Sequence, residues 1–136
     1  MIFDILESKM QSRLGLIPGE TLFRSYTPPE VSVAVMTRVP LEGIKIDPFI
    51  RNWYRGRLQI VLRHTDPVQG EILMNRVANA LRVDGPEEHP ASLERGRATI
   101  SLFIPEALPV RFPRLDGNGI EWSQHFLAAF TFEPTG

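Results

Sequence analysis

Cysteine is absent from this chain of 136 residues, and lysine occurs only at Lys9 and Lys45. The lack of cysteine excludes disulfides, thiolate metal sites and a cysteine nucleophile. Long apolar runs that could cross a bilayer are also missing, and the first residues lack the charged and apolar regions of a signal peptide. We therefore expect a soluble protein that is made in the cytoplasm and has no membrane partner.

An excess of charge of either sign is missing too. Fifteen basic and sixteen acidic residues give a formal net charge of -1. Tight nucleic-acid binding depends on clustered Lys and Arg, so this balance does not favour it. The basic residues are nearly all arginine, which is favoured where ion pairs become buried at interfaces. A GC-rich genome would produce the same bias, so both explanations stay open.

Motifs for catalysis or cofactor binding are not found. His64, His89 and His125 are far apart in sequence and have no metal-ligand spacing. No Gly-rich nucleotide loop is present, and Ser123 lies within a predicted strand instead of on the sharp turn of a serine nucleophile. We therefore expect a protein that is not an enzyme and that uses no cofactor and no metal.

The chain does contain one long alternating stretch, at residues 120–133. A period of two predicts a strand with one buried face. The preceding Asp116-Gly117-Asn118-Gly119 tolerates positive φ and predicts a hairpin turn. The apolar face comprises Ile120, Trp122, Gln124, Phe126, Ala128, Phe130 and Phe132.

Two helices are predicted, over residues 2–14 and about 67–83. Gly15 can end the first. Asp66 is placed to be the N-cap of the second, with Pro67 at its first position and Gln69 where a capping box needs it. Asp84-Gly85-Pro86 follows this helix. The second helix is expected to bury Ile72, Leu73, Val77, Ala80 and Leu81.

Three further strands are predicted, at 32–39, 57–63 and 98–104. The strand at 98–104 should bury Ile100, Leu102 and Ile104 on one face. The polar segment 86–97 should be a surface loop. Three prolines four residues apart remove donors from one edge of an extended segment, which predicts a blocked edge strand or an extended linker. They are Pro105, Pro109 and Pro113. Together these elements predict a single α+β domain: a mostly antiparallel mixed β-sheet with two α-helices packed on it.

Residues 40–56 mix large aromatics with charges, Pro and Gly, and two interpretations compete. In the commoner case Phe49, Ile50, Trp53 and Tyr54 fold back onto the core. Alternatively the segment is a projecting arm whose aromatics and arginines contact a partner. Its arginines belong to the one basic cluster of the chain, which would serve single-stranded nucleic acid or protein–protein contact equally well. The cluster comprises Arg51, Arg55, Arg57 and Arg63.

The layout resembles the tail terminator (minor tail or tail-completion) proteins of long-tailed bacteriophages over most of the chain. These begin with a helix and have a strand that ends in a polar turn into a second helix, matched here by residues 58–67 and 77–81. They close with a charged turn before a final strand, comparable to residues 114–119 and 122–126. The segment entering the second helix often carries an aromatic residue in such proteins, and Val68 stands there instead.

The resemblance implies a virion structural protein, assembled in the host cytoplasm, that forms a usually hexameric ring on the head-proximal end of the tail tube. The ring would stop tube growth and join the tail to the neck, with the tail-tube and neck connector proteins as partners. Genomic DNA would pass through its lumen only transiently. We expect the interface in the segments 40–56 and 86–97. The candidate residues are Asp47, Phe49, Arg51, Trp53, Tyr54, Arg55, Arg57, Glu94, Arg95 and Arg97.

Two alternatives remain at this point. The chain would also suit another phage head–tail joining or tail-tube subunit. A small ligand-binding domain or enzyme would instead use a pocket near Trp53, Tyr54, Arg63 and His64.

Overall fold

The computed structural model of the chain describes residues 1–114 and 119–133. Within these ranges there are two helices, α1 (Phe3–Leu14) and α2 (Pro67–Leu81), in agreement with the predicted pair. The eight strands are β1 (Leu22–Arg24), β2 (Ala34–Arg38), β3 (Ile44–Ile46), β4 (Trp53–His64), β5 (Glu87–His89), β6 (Ala98–Pro105), β7 (Val110–Pro113) and β8 (Ile120–Phe132).

All eight strands form one sheet in the order β1-β2-β4-β8-β6-β5, with β3 also paired to β4 and β7 to β8. Only β1 and β2 run parallel; the other described pairs are antiparallel. The central pair is the longest, because β4 and β8 match residue by residue from Trp53 opposite Thr131 to His64 opposite Ile120. The predicted mostly antiparallel mixed sheet is confirmed.

The core lies between one face of this sheet and the two helices. Trp122, Phe126 and Phe130 of β8 are at most 1% exposed, which confirms the predicted buried face of this strand. Leu6 and Met10 of α1 and Met74 and Val77 of α2 are fully buried in the same cluster. Both helices thus cover the same sheet face, and the α+β class is confirmed.

Gly70 sets how closely α2 approaches the sheet. A Cβ atom added at this position would lie 2.1 Å from Cη2 of Trp122, well inside van der Waals contact. Glycine normally weakens a helix interior, but here the missing side chain lets the indole ring pack directly against the helix backbone. Gly70 is itself buried.

The predicted start of α2 is confirmed, but two details of the helix differ. The carboxylate of Asp66 accepts from the backbone N–H groups of Val68 (2.9 Å) and Gln69 (3.1 Å), as an N-cap does. The expected capping box is not formed, because Nδ1 of His64 accepts the backbone N–H of Asp66 (2.9 Å). Ile72 is 47% exposed, and Met74 takes the core position instead.

A β-bulge in β6 overturns the predicted face of this strand. The pairing with β8 shifts between Ile100 and Leu102. An extra residue in one strand reverses the facing of everything after it. Ile100 therefore stays buried, Phe103 becomes fully buried, and Leu102 and Ile104 are only partly buried.

Three strands of three residues each, β1, β3 and β5, were not predicted. A run this short cannot establish a period of two, so the pattern carries too little signal. β5 pairs with β6, so the segment 86–97 is not entirely a loop. β3 pairs with the start of β4, so part of the segment 40–56 is a β-hairpin.

The proline-rich segment is confirmed as an edge strand over β7, which pairs only with β8 among the described residues. Most of the predicted turn Asp116-Gly117-Asn118-Gly119 lies outside the described residues. Its last residue, Gly119, has a φ of 111°, which confirms a conformation that favours glycine at that position. None of the helices in the described residues has the length and apolar character that a membrane span requires.

We predict that Asp66→Ala lowers the free energy of unfolding by about 1 kcal/mol, the usual loss for a helix cap. Two backbone N–H groups of α2 lose their acceptor in this variant. Chemical denaturation of the purified variant and of the wild type measures the difference. A variant as stable as the wild type would contradict the role of Asp66 as the cap.

We predict that Gly70→Ala destabilises the protein by about 1–3 kcal/mol, the usual cost of overpacking a core, despite the higher helix propensity of alanine. The new methyl group would clash with Trp122. Gly85→Ala is the matched control, since an added Cβ at Gly85 meets nothing within 4 Å. Equal thermal stability of the two variants would refute the close contact between α2 and Trp122.

Candidate functional site

The segment 44–56 forms a hairpin at one end of the sheet, made of β3, a turn and the start of β4; we call it the arm. Asp47 shapes its turn, because its Oδ1 accepts from the backbone N–H groups of Phe49 (2.8 Å) and Ile50 (3.0 Å). Such Asx turns mimic a backbone turn. Asn52 adopts a φ of 60°, which asparagine tolerates better than most residues.

Apolar side chains at the tip of the arm face solvent. Phe49 is 93% exposed, Ile46 76% and Ile50 55%. At the base, Tyr54 packs against the rings of Phe130 and Phe132, with centroid distances of 5.6 and 5.5 Å. Tyr54 therefore folds back onto the core, as the first interpretation of this segment predicts. The tip projects into solvent, as the second interpretation predicts.

Cationic side chains surround this apolar tip. Lys45, Arg51 and Arg55 are exposed, and none of them forms an ion pair with another described residue. The guanidinium of Arg55 lies 5.8 Å from the ring centroid of Trp53, which is half-buried. Arg57 differs from these three, since it forms an ion pair with Glu106 at 2.7 Å. The arm thus combines exposed apolar surface with unpaired positive charge.

Arg95, a predicted interface residue, lies inside the protein with 8% of its surface exposed. Its guanidinium holds the carboxylate of Asp4 in α1 with two hydrogen bonds of 3.1 and 3.0 Å. It also donates to the carbonyl oxygens of Pro90 (2.8 Å) and Gly96 (3.0 Å). The planar, five-donor guanidinium can satisfy all these acceptors at once. Arg95 therefore fastens the loop after β5 to α1.

Two further ion-pair groups connect α1 to its surroundings. Arg24 of β1 pairs with Glu7 of α1 and with Glu94, whose carboxylate lies 2.8 Å away. The hydrogen bond from Arg24 lowers the pKa of Glu94, and the same bond raises the pKa of Arg24 above its usual range. The last predicted residue of this loop, Arg97, is exposed and pairs with Glu88 at 3.2 Å.

The other group is centred on Glu87 of β5. Its carboxylate lies 2.5 Å from Nζ of Lys9 in α1 and 2.6 Å from Nε2 of His89. Burial acts to raise the pKa of Glu87, but the hydrogen bonds from Lys9 and His89 outweigh it and lower the pKa. The ionised carboxylate is therefore favoured in the folded protein.

The structure places the arm and the loop 90–97 at the same end of the sheet. The carbonyl of Asn52 accepts from the N–H of Phe132 (3.0 Å), and that of Arg97 accepts from Glu133 (2.7 Å). The end of β8 thus lies between the two predicted interface segments. Sequence spacing gives no such proximity; antiparallel pairing produces it.

The alternative pocket near Trp53, Tyr54, Arg63 and His64 is not formed. Trp53 and His64 are the two ends of one continuous strand. Eleven steps of roughly 3.3 Å separate them by about 36 Å. Among the described residues, no group of three or more His, Asp or Glu side chains lies close enough to hold a metal ion.

An open groove of about 670 Å³ runs between α2 and the β6–β7 connection. Arg82 and Glu106 are its only ionisable lining residues among those described; Gln124, Asn75 and Asn79 supply amides. This set provides hydrogen-bonding groups but no nucleophile with a neighbouring base.

Two exposed residues of the arm, Lys45 and Ile46, were not among the predicted site residues. They belong to β3, which the alternation pattern was too short to reveal. Ile50 was considered only as a core residue, because aliphatic side chains are usually buried. Its 55% exposure depends on the turn that Asp47 forms.

Comparison with known proteins gives one family match. The model of the family described as "Bacteriophage tail terminator protein" matches residues 9–132, nearly the whole chain. No curated protein matches the sequence.

We predict that acidification destabilises the protein partly through Glu87. Its pKa in the folded state is lowered from the ordinary value of 4.5. The stabilisation is therefore complete above pH 4.5 and is lost as the pH falls through the folded-state pKa. Thermal melts of wild type and Glu87→Gln between pH 7 and pH 3 should converge as the pH falls. Parallel pH profiles would refute the contribution of Glu87.

Proposed function

Because the chain belongs to the bacteriophage tail terminator family, we propose that it forms a hexameric ring that caps the head-proximal end of the tail tube. Family membership makes it a structural protein of the phage tail, located in the virion and in contact with tail and head–tail proteins. The finer proposal is that ring formation stops tube polymerisation and presents a surface to the neck connector. Assembly would take place in the host cytoplasm.

The exposed arm supports this proposal most directly. Phe49 is 93% exposed and lies beside two exposed isoleucines, on a turn that Asp47 holds. An exposed apolar patch of this kind marks a surface that interacts with another molecule. Aromatic and arginine side chains are the types enriched at the centres of protein interfaces. We assign the arm residues Phe49, Arg51 and Trp53 to contact with a neighbouring protein. Asp47, Tyr54, Arg55, Arg57, Glu94 and Arg97 would shape or border that contact.

Arg95 supports the same surface indirectly, since it is buried and holds the loop 90–97 in place. We therefore assign it a positioning role. The chain would need no catalysis, cofactor or metal for this function. Genomic DNA would cross the lumen transiently, and a net charge of -1 is compatible with passage because it provides little attraction for phosphates.

A tail-tube or head–tail joining subunit is the alternative that shares most of these features. The two can be separated by how the purified protein assembles. Tube subunits polymerise into long filaments, because their contacts repeat along the tube axis. A terminator stops at one ring, because its contacts close on themselves.

We predict that Phe49→Ser abolishes or strongly reduces capping of tail tubes while leaving the fold intact, since the ring of Phe49 contributes to contact and not to the core. Electron microscopy of tail tubes incubated with each protein measures the fraction of capped ends and the tube length. Val68→Ser is the matched control: Val68 is 66% exposed on α2, away from the arm.

Normal capping by the Phe49→Ser variant would remove the arm from the proposed contact. Wild-type protein that never caps tubes, or that grows into filaments, would refute the terminator function itself. The proposed function predicts caps at one end of the tube only.

A further inference from the structure

Most charged side chains of this protein form ion pairs or hydrogen bonds within the subunit. The cations that form neither are concentrated on the arm. Among the described residues, four cations form neither an ion pair nor a side-chain hydrogen bond: Lys45, Arg51, Arg55 and Arg76. Three of these four lie on the arm. The other unpaired arginines are engaged elsewhere, since Arg13 and Arg114 donate to carbonyl oxygens and Arg38 to Gln59.

Few of the described carboxylates are left free. Asp47 and Asp66 hold a turn and a helix N-terminus, so three described acids remain without an ion pair or a hydrogen bond: Glu20, Glu30 and Glu133. Glu20 and Glu30 belong to residues 17–31, which we call the acidic segment although it also contains Arg24, and Glu133 follows β8 at the end of the sheet that carries the arm. The acidic segment also exposes Tyr26 (63%) and Ile17 (50%).

Part of the acidic segment lies at the end of the central strands opposite the arm, while Arg24 of the same segment pairs with Glu94 in the loop 90–97. Nη1 of Arg63, near the end of β4, donates to the carbonyl oxygens of Pro28 and Val31, both at 3.0 Å. Trp53, at the base of the arm, is ten steps of roughly 3.3 Å away along the same strand, about 33 Å. Within one molecule the arm therefore cannot reach the part of the acidic segment around Pro28 and Val31.

The acidic segment is also held in a defined shape. Pro28 and Pro29 restrict its backbone, Arg114 donates to the carbonyl of Pro29, and the N–H of Val35 donates to the carbonyl of Thr21 (2.8 Å). A surface whose backbone is already ordered loses little entropy when it binds. Tyr26 is a side chain of the type that anchors protein interfaces.

We propose that the arm of one copy docks on the acidic segment of the next copy. Lys45, Arg51 and Arg55 would face Glu20 and Glu30, and the apolar tip around Phe49 would pack against Tyr26 and Ile17. The two surfaces are different parts of the subunit, so the contact is head-to-tail and can repeat around a closed ring. This inference rests on the proposed function and names the subunit interface of that ring.

Charge reversal tests the pairing. The arm variant is Arg51→Glu with Arg55→Glu, and the segment variant is Glu20→Arg with Glu30→Arg. Each places like charges across the contact, which we expect to raise the concentration needed for self-association at least tenfold. Sedimentation velocity over a range of concentrations measures this. Arg76→Glu is the matched control, since it reverses a free cation that is not on the arm, and it should assemble as the wild type does.

Mixing the two variants gives the decisive result. In an equimolar mixture the reversed arm of the arm variant meets the reversed segment of the segment variant. The native arm of the segment variant meets the native segment of the arm variant, so every contact again joins opposite charges. We expect the mixture to assemble like the wild type, into species larger than a dimer. No recovery on mixing, or an arm variant no weaker than Arg76→Glu, would overturn the inference. Recovery only as dimers would show a two-fold contact and would overturn it as well.

Cross-linking detects the contact even where association is too weak for sedimentation. Because the chain has no native cysteine, only the introduced cysteines can react. Phe49→Cys and Tyr26→Cys in one chain, treated with a short bismaleimide at high protein concentration, should give a ladder beyond dimers. Each single variant should stay monomeric. A double variant without a ladder overturns this interface even if the protein caps tubes. A ladder from a protein that never caps tubes supports the interface and refutes the proposed function instead.

Discussion

The ladder between β4 and β8 is the constraint on which the rest of this structure depends. Its twelve matched residue pairs put Leu58, Ile60 and Leu62 beside Trp122 and Phe126 on one face. A slip of one residue would turn the large apolar side chains of β8 towards solvent, so burial itself specifies the register. The ladder also determines the layout of the molecule, because the arm lies at one end of β4 and α2 begins after the other end.

Ion pairs around α1 connect the two edges of the sheet. β1 and β5 are the terminal strands of the order, yet Arg24 of β1 reaches Glu94 in the loop after β5, and Glu87 of β5 holds Lys9 of α1. The helix and its charged partners thus link the two terminal strands of the sheet to each other. Arginine suits this arrangement because one guanidinium can bridge several acceptors, as Arg95 does. Part of the arginine bias therefore has a structural use inside the subunit.

A structural protein of a phage tail must be rigid as a unit and adhesive only at chosen surfaces. This chain meets the first requirement with a core that both helices share and with internally paired charges. We propose that the arm, whose tip is apolar and whose cations are unpaired, meets the second. Under this proposal interaction and stability depend on different residues, so changes at the arm tip would alter assembly without weakening the core.

The sequence alone determined the fold class, both helices and the long strands, because a sustained apolar period depends only on local chain geometry. The aromatics and arginines of residues 40–56 favoured two interpretations, a segment folded back onto the core and a projecting arm, and Tyr54 follows the first while the tip follows the second. The sequence could not reveal β1, β3 and β5, which are too short to show a period, or the bulge that turns Phe103 inward in place of Leu102. The burial of Arg95 and the separation of His64 from Trp53 were decided only by tertiary structure. The burial of Arg95 depends on which distant segments the fold brings together, and sequence spacing carries no record of that. The separation of His64 from Trp53 follows from one strand running without a break between them.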